Sequence, residues 1–324
     1  MADNNITVNP INPVAANPGD ISWEPLNEFG EVVLYDRTPA EEIIPRIQGA
    51  DFVFTNKVPL SAETIDSCPT LKWIGVLATG YNIVDVAHAK EKGIPVTNIP
   101  AYSTDTVAQN VFAHLLNITN RVADHAASIA EGKWARCEDF VFWDYPQVEL
   151  AGKTLGIVGY GSIGKKVSAI ARAFGMKVLV NTRTPDPAME AEDLSFCDRE
   201  TLFREADVIS LHCPLTDATR EIVNAKTLDM MKPTAILINT GRGPLINEAD
   251  LAAALQAGKI YGAGLDVLCK EPPEADNPLF GCPNCFISPH VSWASEEARI
   301  RLHKIAFENI RSFVNGKPIN VVNK

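Results

Sequence analysis

Residues 156–185 read GIVGYGSIGKKVSAIARAFGMKVLVNTRTP, and the fold turns on how this stretch is parsed. A strand-forming run, TLGIV, leads directly into glycines at 159, 161 and 164. A helical pattern follows as far as Gly175, and then a second apolar run, KVLVNT. Strand, G-x-G-x-x-G turn and helix in that order are the fingerprint of a dinucleotide-binding βαβ unit. Gly159 allows the tight turn, Gly161 lets backbone approach a pyrophosphate, and Gly164 lets helix pack closely on strand. Ser162 and Ile163 open the helix, whose first N–H groups lack helical partners and so suit phosphate.

In such a unit the second strand usually ends, ~20 residues on, in an acid that holds the ribose hydroxyls of NAD. Here it ends in Asn181, Thr182, Arg183 and Thr184, without a carboxylate. An acid at this point repels the 2′-phosphate of NADP, whereas an arginine pairs with it. Thr182, Arg183 and Thr184 therefore favour NADP(H), with NAD(H) as the second possibility. Asp186 lies just beyond Pro185 and could reach back.

The remaining chain fits this start. Of 324 residues 46% are hydrophobic, enough for two domains with buried cores. Forty acidic residues against 29 basic ones give a formal charge of −11, and no basic run argues for nucleic acid or an anionic membrane as partner. No stretch approaches the roughly 18 apolar residues of a membrane-spanning helix. The first basic residue is Arg37, so no charged leader is evident, and a cytoplasmic protein is expected. The seven cysteines are scattered, as in a reducing compartment. Cys282 and Cys285 have C-x-x-C spacing but neither a second pair nor two histidines to complete a metal site, so no metal is expected.

Short apolar runs alternate with helical patterns from Glu31 onward: EVVLYD, DFVFTNK, WIGVLATG and IPVTNIP. The first twenty residues are rich in Asn and Pro, although ITVNP can supply a strand. A helical pattern from about Thr104 to Glu131 carries Val107, Val111, Leu115 and Ile118 on one face and suits a bridge between domains. KTLGIVGYG opens a second series, continued by KVLVNT, VISLHCP, AILINTG, YGAGLDV and CFISPH. An amphipathic helix within SEEARIRLHKIAFENIRSFVNGK closes the chain. The pattern predicts an α/β protein of two doubly wound parallel-sheet domains with a ligand cleft between them.

Three segments of the second series supply chemistry. Arg242 follows a strand in a glycine-flanked turn, Asp266 ends a strand with Glu271 five residues later, and His290 lies just past the last strand. In an open parallel sheet all three fall on the carboxyl edge, where the cofactor binds. Reduction of a 2-keto acid needs a hydride donor, a proton donor to the carbonyl oxygen and a cation for the carboxylate. His290 can give the proton, Glu271 can orient it, and Arg242 offers a fork of donors.

With GYGSIG, HCPLT, INTGRG, GLDV followed by EPP, and SPHVSW, the chain resembles the D-isomer-specific 2-hydroxyacid dehydrogenase family over nearly its whole length. The resemblance implies that Arg242, Glu271 and His290 are catalytic, and that Asp266 and the backbone at Thr240 face the nicotinamide. It further implies that Cys213 and Pro214 line the adenine, that Thr106 touches the cofactor, and that Leu77, Ala78, Thr79 and Gly80 bind the substrate carboxylate through backbone N–H groups. It implies a flavodoxin-like substrate domain, residues 1–103 with 294–324, and a Rossmann cofactor domain, residues 104–293. LATGYNIVDV, IPAYSTDTVAQ and DFVFWDYP point toward the glycerate dehydrogenase and hydroxypyruvate/glyoxylate reductase branch. Gln109 departs from the family, whose helix usually reads VAE. Bulk near the reacting carbon is expected from Trp293 or from Phe142 with Trp143. Alternatives are another acid on the same scaffold, such as phosphoglycerate, or a non-catalytic NAD(H)-sensing corepressor. A homodimer is the default assembly.

Overall fold

The structure is a computed structural model that describes residues 5–9, 17 and 19–324. The chain divides into two compact units, residues 1–103 with 294–324, and residues 104–293.

The first unit is built on five parallel strands: β1 (Asn5–Asn9), β2 (Glu31–Leu34), β3 (Phe52–Thr55), β4 (Trp73–Val76) and β5 (Val96–Thr97). Their order, β2-β1-β3-β4-β5, is the flavodoxin-like one. The ITVN of that run does supply a strand, and it occupies an inner place in the sheet. β3 and β4 are buried throughout, as expected of strands covered on both faces. The closing helix, Glu296–Val314, buries Ala298, Leu302, Ala306 and Ile310, which lie four residues apart on one face. Its Phe313 stacks on Trp73 at 6.2 Å, and Trp73 meets Phe54 edge-on at 4.9 Å.

The second unit carries seven parallel strands: β6 (Thr154–Val158), β7 (Lys177–Asn181), β8 (Leu194–Phe196), β9 (Val208–Leu211), β10 (Ile236–Asn239), β11 (Gly262–Leu265) and β12 (Cys285–Ile287). The order is β12-β11-β10-β9-β6-β7-β8. Counted from β6 this is the 3-2-1-4-5-6 winding of a Rossmann sheet with one further strand, and it reverses between β6 and β9. The ligand crevice of such a sheet lies at that reversal, beyond the carboxyl ends. β8 was not anticipated, because Leu-Ser-Phe is too short to signal a strand and sits at the sheet edge.

The expected single helix from Thr104 to Glu131 is instead two, Thr104–Asn120 and Val122–Ala130. Arg121 breaks it with φ of 52°, a left-handed conformation that ends helical hydrogen bonding. Its guanidinium is held between the rings of Tyr145 and Phe286, at 4.6 and 4.5 Å, and pairs with Asp124 at 3.2 Å. Buried side-chain contacts thus override a continuous helical pattern. No helix among the described residues is long and apolar enough to cross a membrane.

Candidate active site

The three glycines of the turn meet different surroundings. At Gly159, with φ of 96°, a Cβ would fall 2.5 Å from the Cys213 nitrogen, so backbone touches backbone where the winding reverses. At Gly164 a Cβ would sit 2.3 Å from the Gly159 carbonyl oxygen, which requires glycine for helix to pack on turn. Around Gly161 nothing lies within 4 Å of that position. Gly161 caps the Ser162–Ala173 helix without a side-chain hydrogen bond, leaving the N–H groups of Ser162, Ile163 and Gly164 available. An open, uncapped helix start beyond a close-packed turn is a fit for pyrophosphate. Nearby chemistry agrees: the Thr240 hydroxyl is buried and has no hydrogen-bond partner among the described residues. Cys213 is half-buried and Pro214 exposed after β9, and Thr106 is half-buried on the Thr104–Asn120 helix.

At the end of β7, Thr182 is half-buried while Arg183 and Thr184 are exposed. Asp186 does not reach back; its carboxylate accepts from the Ala188 N–H at 3.1 Å and caps the turn Pro187–Met189. Asn181 is also committed, its carbonyl to Gly159 N at 2.8 Å and its amide to the Cys197 carbonyl at 3.0 Å.

After β10 the buried Asn239 clasps the turn that carries Arg242. Its Oδ1 accepts from Gly241 N at 3.0 Å and its Nδ2 donates to the Arg242 carbonyl at 2.9 Å. The Arg242 guanidinium is exposed and pairs with no carboxylate among the described residues; Nη1 donates only to the Gly241 carbonyl, at 2.8 Å. A Cβ on Gly243 would lie 2.0 Å from the Leu268 carbonyl carbon, so this turn rests directly on the loop that leads to Glu271.

Glu271 is fixed at both oxygens. Oε1 accepts from Leu268 N at 3.0 Å, and Oε2 meets His290 Nδ1 at 2.7 Å. Glu248 pins the same loop by accepting from Cys269 N at 2.6 Å and Asn277 Nδ2 at 2.9 Å. His290 has φ of 55°, an uncommon left-handed conformation for a residue other than glycine, and its N–H donates to the Asp266 carbonyl at 2.8 Å. Trp293 Nε1 donates to the His290 carbonyl at 2.9 Å. The imidazole is about 28% exposed, so Nε2 remains available once Nδ1 is committed to Glu271.

One expectation needs correction, at Leu77, and the surroundings of two others are defined. Asp266 is 1% exposed, and its carboxylate accepts from Ser288 Oγ at 2.6 Å, Val291 N and Ser292 N at 2.9 Å each, and Ser292 Oγ. A carboxylate has about four acceptor positions, and these four bonds commit the side chain to holding the 288–292 loop. Leu77 is a core residue, 2% exposed, whose N–H is taken by the Thr55 carbonyl at 2.7 Å; it anchors the loop and offers nothing to a ligand. Of the bulky candidates, only Trp293 adjoins His290. Phe142 lies against Lys133 and His125, and Trp143 is 68% exposed.

In the first unit, the N–H groups of Ala78, Thr79 and Gly80 have no partner among the described residues. Their carbonyls are tied back, Ala78 O to Ile99 N at 3.0 Å and Thr79 O to Asn98 Nδ2 at 2.8 Å. Carbonyls fixed on one side leave donors on the other, as an anion requires.

The glycine cradle, together with an imidazole oriented by a carboxylate on the carboxyl edge of the same sheet, defines a nicotinamide-dependent oxidoreductase. Residues 112–292 match the family described as D-isomer specific 2-hydroxyacid dehydrogenase, NAD binding domain. The hydroxypyruvate reductase of Blautia hydrogenotrophica is 50% identical over 311 residues, 95% of this chain and 97% of that one. The glycerate dehydrogenase of Methylorubrum extorquens is 44% identical over 284 residues, 87% and 88% of the two chains. The NADPH-dependent glyoxylate/hydroxypyruvate reductase of Sinorhizobium meliloti, solved with NADP and malonate, superposes with a TM-score of 0.85 at 30% identity, covering 99% of this chain and 97% of that one. The chain belongs to the D-isomer specific 2-hydroxyacid dehydrogenase family.

Proposed function

We propose that this enzyme uses NADPH to reduce hydroxypyruvate to the D-2-hydroxy acid, or glyoxylate to its achiral 2-hydroxy acid. The observation that carries the reading is the His290–Glu271 pair at 2.7 Å, with the second Glu271 oxygen held by Leu268 N. Because Glu271 accepts at Nδ1, that nitrogen bears hydrogen and Nε2 is the one left to meet substrate. NADPH supplies the hydride when bound. Gly159, Gly161, Ser162, Ile163 and Gly164 hold its pyrophosphate, Thr182, Arg183 and Thr184 its 2′-phosphate, and Cys213, Pro214, Thr240 and Thr106 its remaining length.

Arg242, free of any carboxylate among the described residues, takes the substrate carboxylate and carbonyl oxygen in its fork. In the other unit, residues 1–103 with 294–324, the N–H groups of Ala78, Thr79 and Gly80 are suited to an anion such as a carboxylate. His290 delivers its proton from Nε2 to the carbonyl oxygen as the adjacent carbon is reduced, and takes it back in the reverse direction. Trp293 restricts the side chain of the acid. The 50% identical relative is named for hydroxypyruvate, which supports the substrate. A missing methylene changes discrimination by only about 1–3 kcal/mol, so neighbouring 2-keto acids that differ by one methylene are turned over as well.

The test is steady-state kinetics on hydroxypyruvate, glyoxylate and pyruvate with each cofactor, for wild type and His290→Asn. The variant should lose about a hundredfold or more in kcat while binding NADPH as before. Equal loss of turnover and cofactor binding would remove His290 from its role.

We further propose a cytoplasmic homodimer. Phe140, Trp143 and Trp134 are 88%, 68% and 51% exposed within one short stretch, an aromatic surface that a monomer rarely leaves to water.

A further inference from the structure

His114 projects from the Thr104–Asn120 helix, is 8% exposed, and plays no part in the chemistry above. It lies against β11 where glycine leaves room, since a Cβ on Gly264 would come 2.7 Å from the His114 Cβ. Its Nε2 meets Ser288 Oγ at 2.9 Å, and Ser288 Oγ in turn donates to Asp266 Oδ1 at 2.6 Å. A hydroxyl has one hydrogen, which Ser288 gives to Asp266. His114 must therefore donate from Nε2, and one tautomer is specified. Burial lowers the pKa of His114 below the usual imidazole range, with the Asp266 charge opposing, so the ring is a neutral donor.

The chain of bonds ends at the loop bearing His290. Asp266 accepts from Val291 N and Ser292 N at 2.9 Å each, and its own carbonyl receives the His290 N–H at 2.8 Å. These bonds hold His290 at φ of 55°. A backbone in that region persists only where its surroundings fix it. Without the His114 donor, the half-buried Ser288 Oγ is left with an unfilled acceptor, and its rotamer is no longer confined to Asp266.

We propose that His114 is a positioning residue of the reaction: through Ser288 and Asp266 it holds the 288–292 loop in the conformation that presents His290. The inference rests on the reading of His290 as the acid. Two measurements on the full-length enzyme test it. Amide hydrogen exchange at Val291 and Ser292 should accelerate in His114→Leu, while global melting shifts little. In the same variant kcat should fall about tenfold, with KM for the keto acid and Kd for NADPH within about two- to threefold. His114→Gln, whose amide nitrogen falls near the position of imidazole Nε2, should recover most of both losses. Ser288→Ala should match His114→Leu, and the double variant should be no worse than either. Where His114→Leu does not fold, Ser288→Ala against Ser288→Thr makes the same comparison, because Thr keeps the hydroxyl. Unchanged exchange and kcat, or equal impairment in His114→Leu and His114→Gln, would overturn the proposal. Exchange is read without substrate and tests the relay itself, whereas His290→Asn tests the acid, so the two assignments fail separately.

Discussion

Replacing Arg183 by Ala isolates the proposed 2′-phosphate contact. Arg183 is exposed at the end of β7 and pairs with no carboxylate among the described residues, Asp186 being turned to the Ala188 N–H. In this setting the dielectric is close to that of water, and two unit charges at about 4 Å are worth roughly 1 kcal/mol. A phosphate carrying nearly two charges doubles that, and physiological salt, with a Debye length near 8 Å, takes part of it away. About 1–1.4 kcal/mol remains, a five- to tenfold weakening of NADPH. NADH has no phosphate at this position, so its affinity should stay within about twofold. Thr182→Asp should act in the same direction by repulsion and also give NADH a partner for its ribose hydroxyls. Fluorescence titration of both cofactors at two salt concentrations, alongside kcat/KM, measures the effect. A salt-sensitive loss confined to NADPH is expected. Equal loss of both cofactors in Arg183→Ala, or a wild type that uses NADH better than NADPH, refutes the reasoning.

Two further outcomes follow from surface and core. Phe140→Ser with Trp143→Ser should convert a dimer to a monomer in light scattering without loss of secondary structure; a wild type already monomeric at micromolar concentration ends that reading. His303 is buried against Trp23 at 4.1 Å with neither ring nitrogen hydrogen-bonded among the described residues. Burial first, then the Arg299 charge, pushes its pKa down to about 4, with Asp20 opposing. Above pH ~6.5 both folded and unfolded chains hold it neutral. As pH falls from there toward 4, the unfolded chain takes up a proton that the fold refuses, and stability drops by about 2 kcal/mol at pH 5. His303→Leu should flatten the melting temperature across that range relative to wild type, and parallel curves would show that His303 does not set the slope.

What the sequence makes legible is what local pattern encodes. The G-x-G-x-x-G turn, the alternation of strand and helix, and the positions of Arg242, Glu271 and His290 after strands all follow from spacing and from the geometry of a parallel sheet. The kink at Arg121 was hidden, because its cause lies in Tyr145 and Phe286, 24 and more residues away. The partners of Asp266 are hidden for a related reason: they depend on which donors the loop turns inward, and Ser288, Val291 and Ser292 only become its partners in three dimensions. Asn239 and Glu248, which brace the two catalytic loops, gave no more signal than any turn or helix-start residue. His114 did leave a trace. It follows Val111 by three residues on the apolar face of its helix, where a polar side chain has to find a partner.

These bracing contacts also couple the proposed catalytic groups to one another. The Arg242 turn touches the Glu271 loop through Gly243 and Leu268, Glu271 holds the imidazole, and Asp266 holds the backbone on which the imidazole sits. Each group therefore depends on a neighbour's position as well as on its own chemistry, and free-energy changes at residues sharing such contacts do not add. The loops themselves are short and irregular, yet their N–H and carbonyl groups are satisfied by side chains that start from the ends of strands or of the Glu248–Gln256 helix. Precision at the site comes from rigid elements reaching out to bind flexible ones. For that reason, on the proposed roles of Arg242, Glu271 and His290, a substitution at Asn239, Glu248 or Asp266 should act on turnover through the geometry of those three groups.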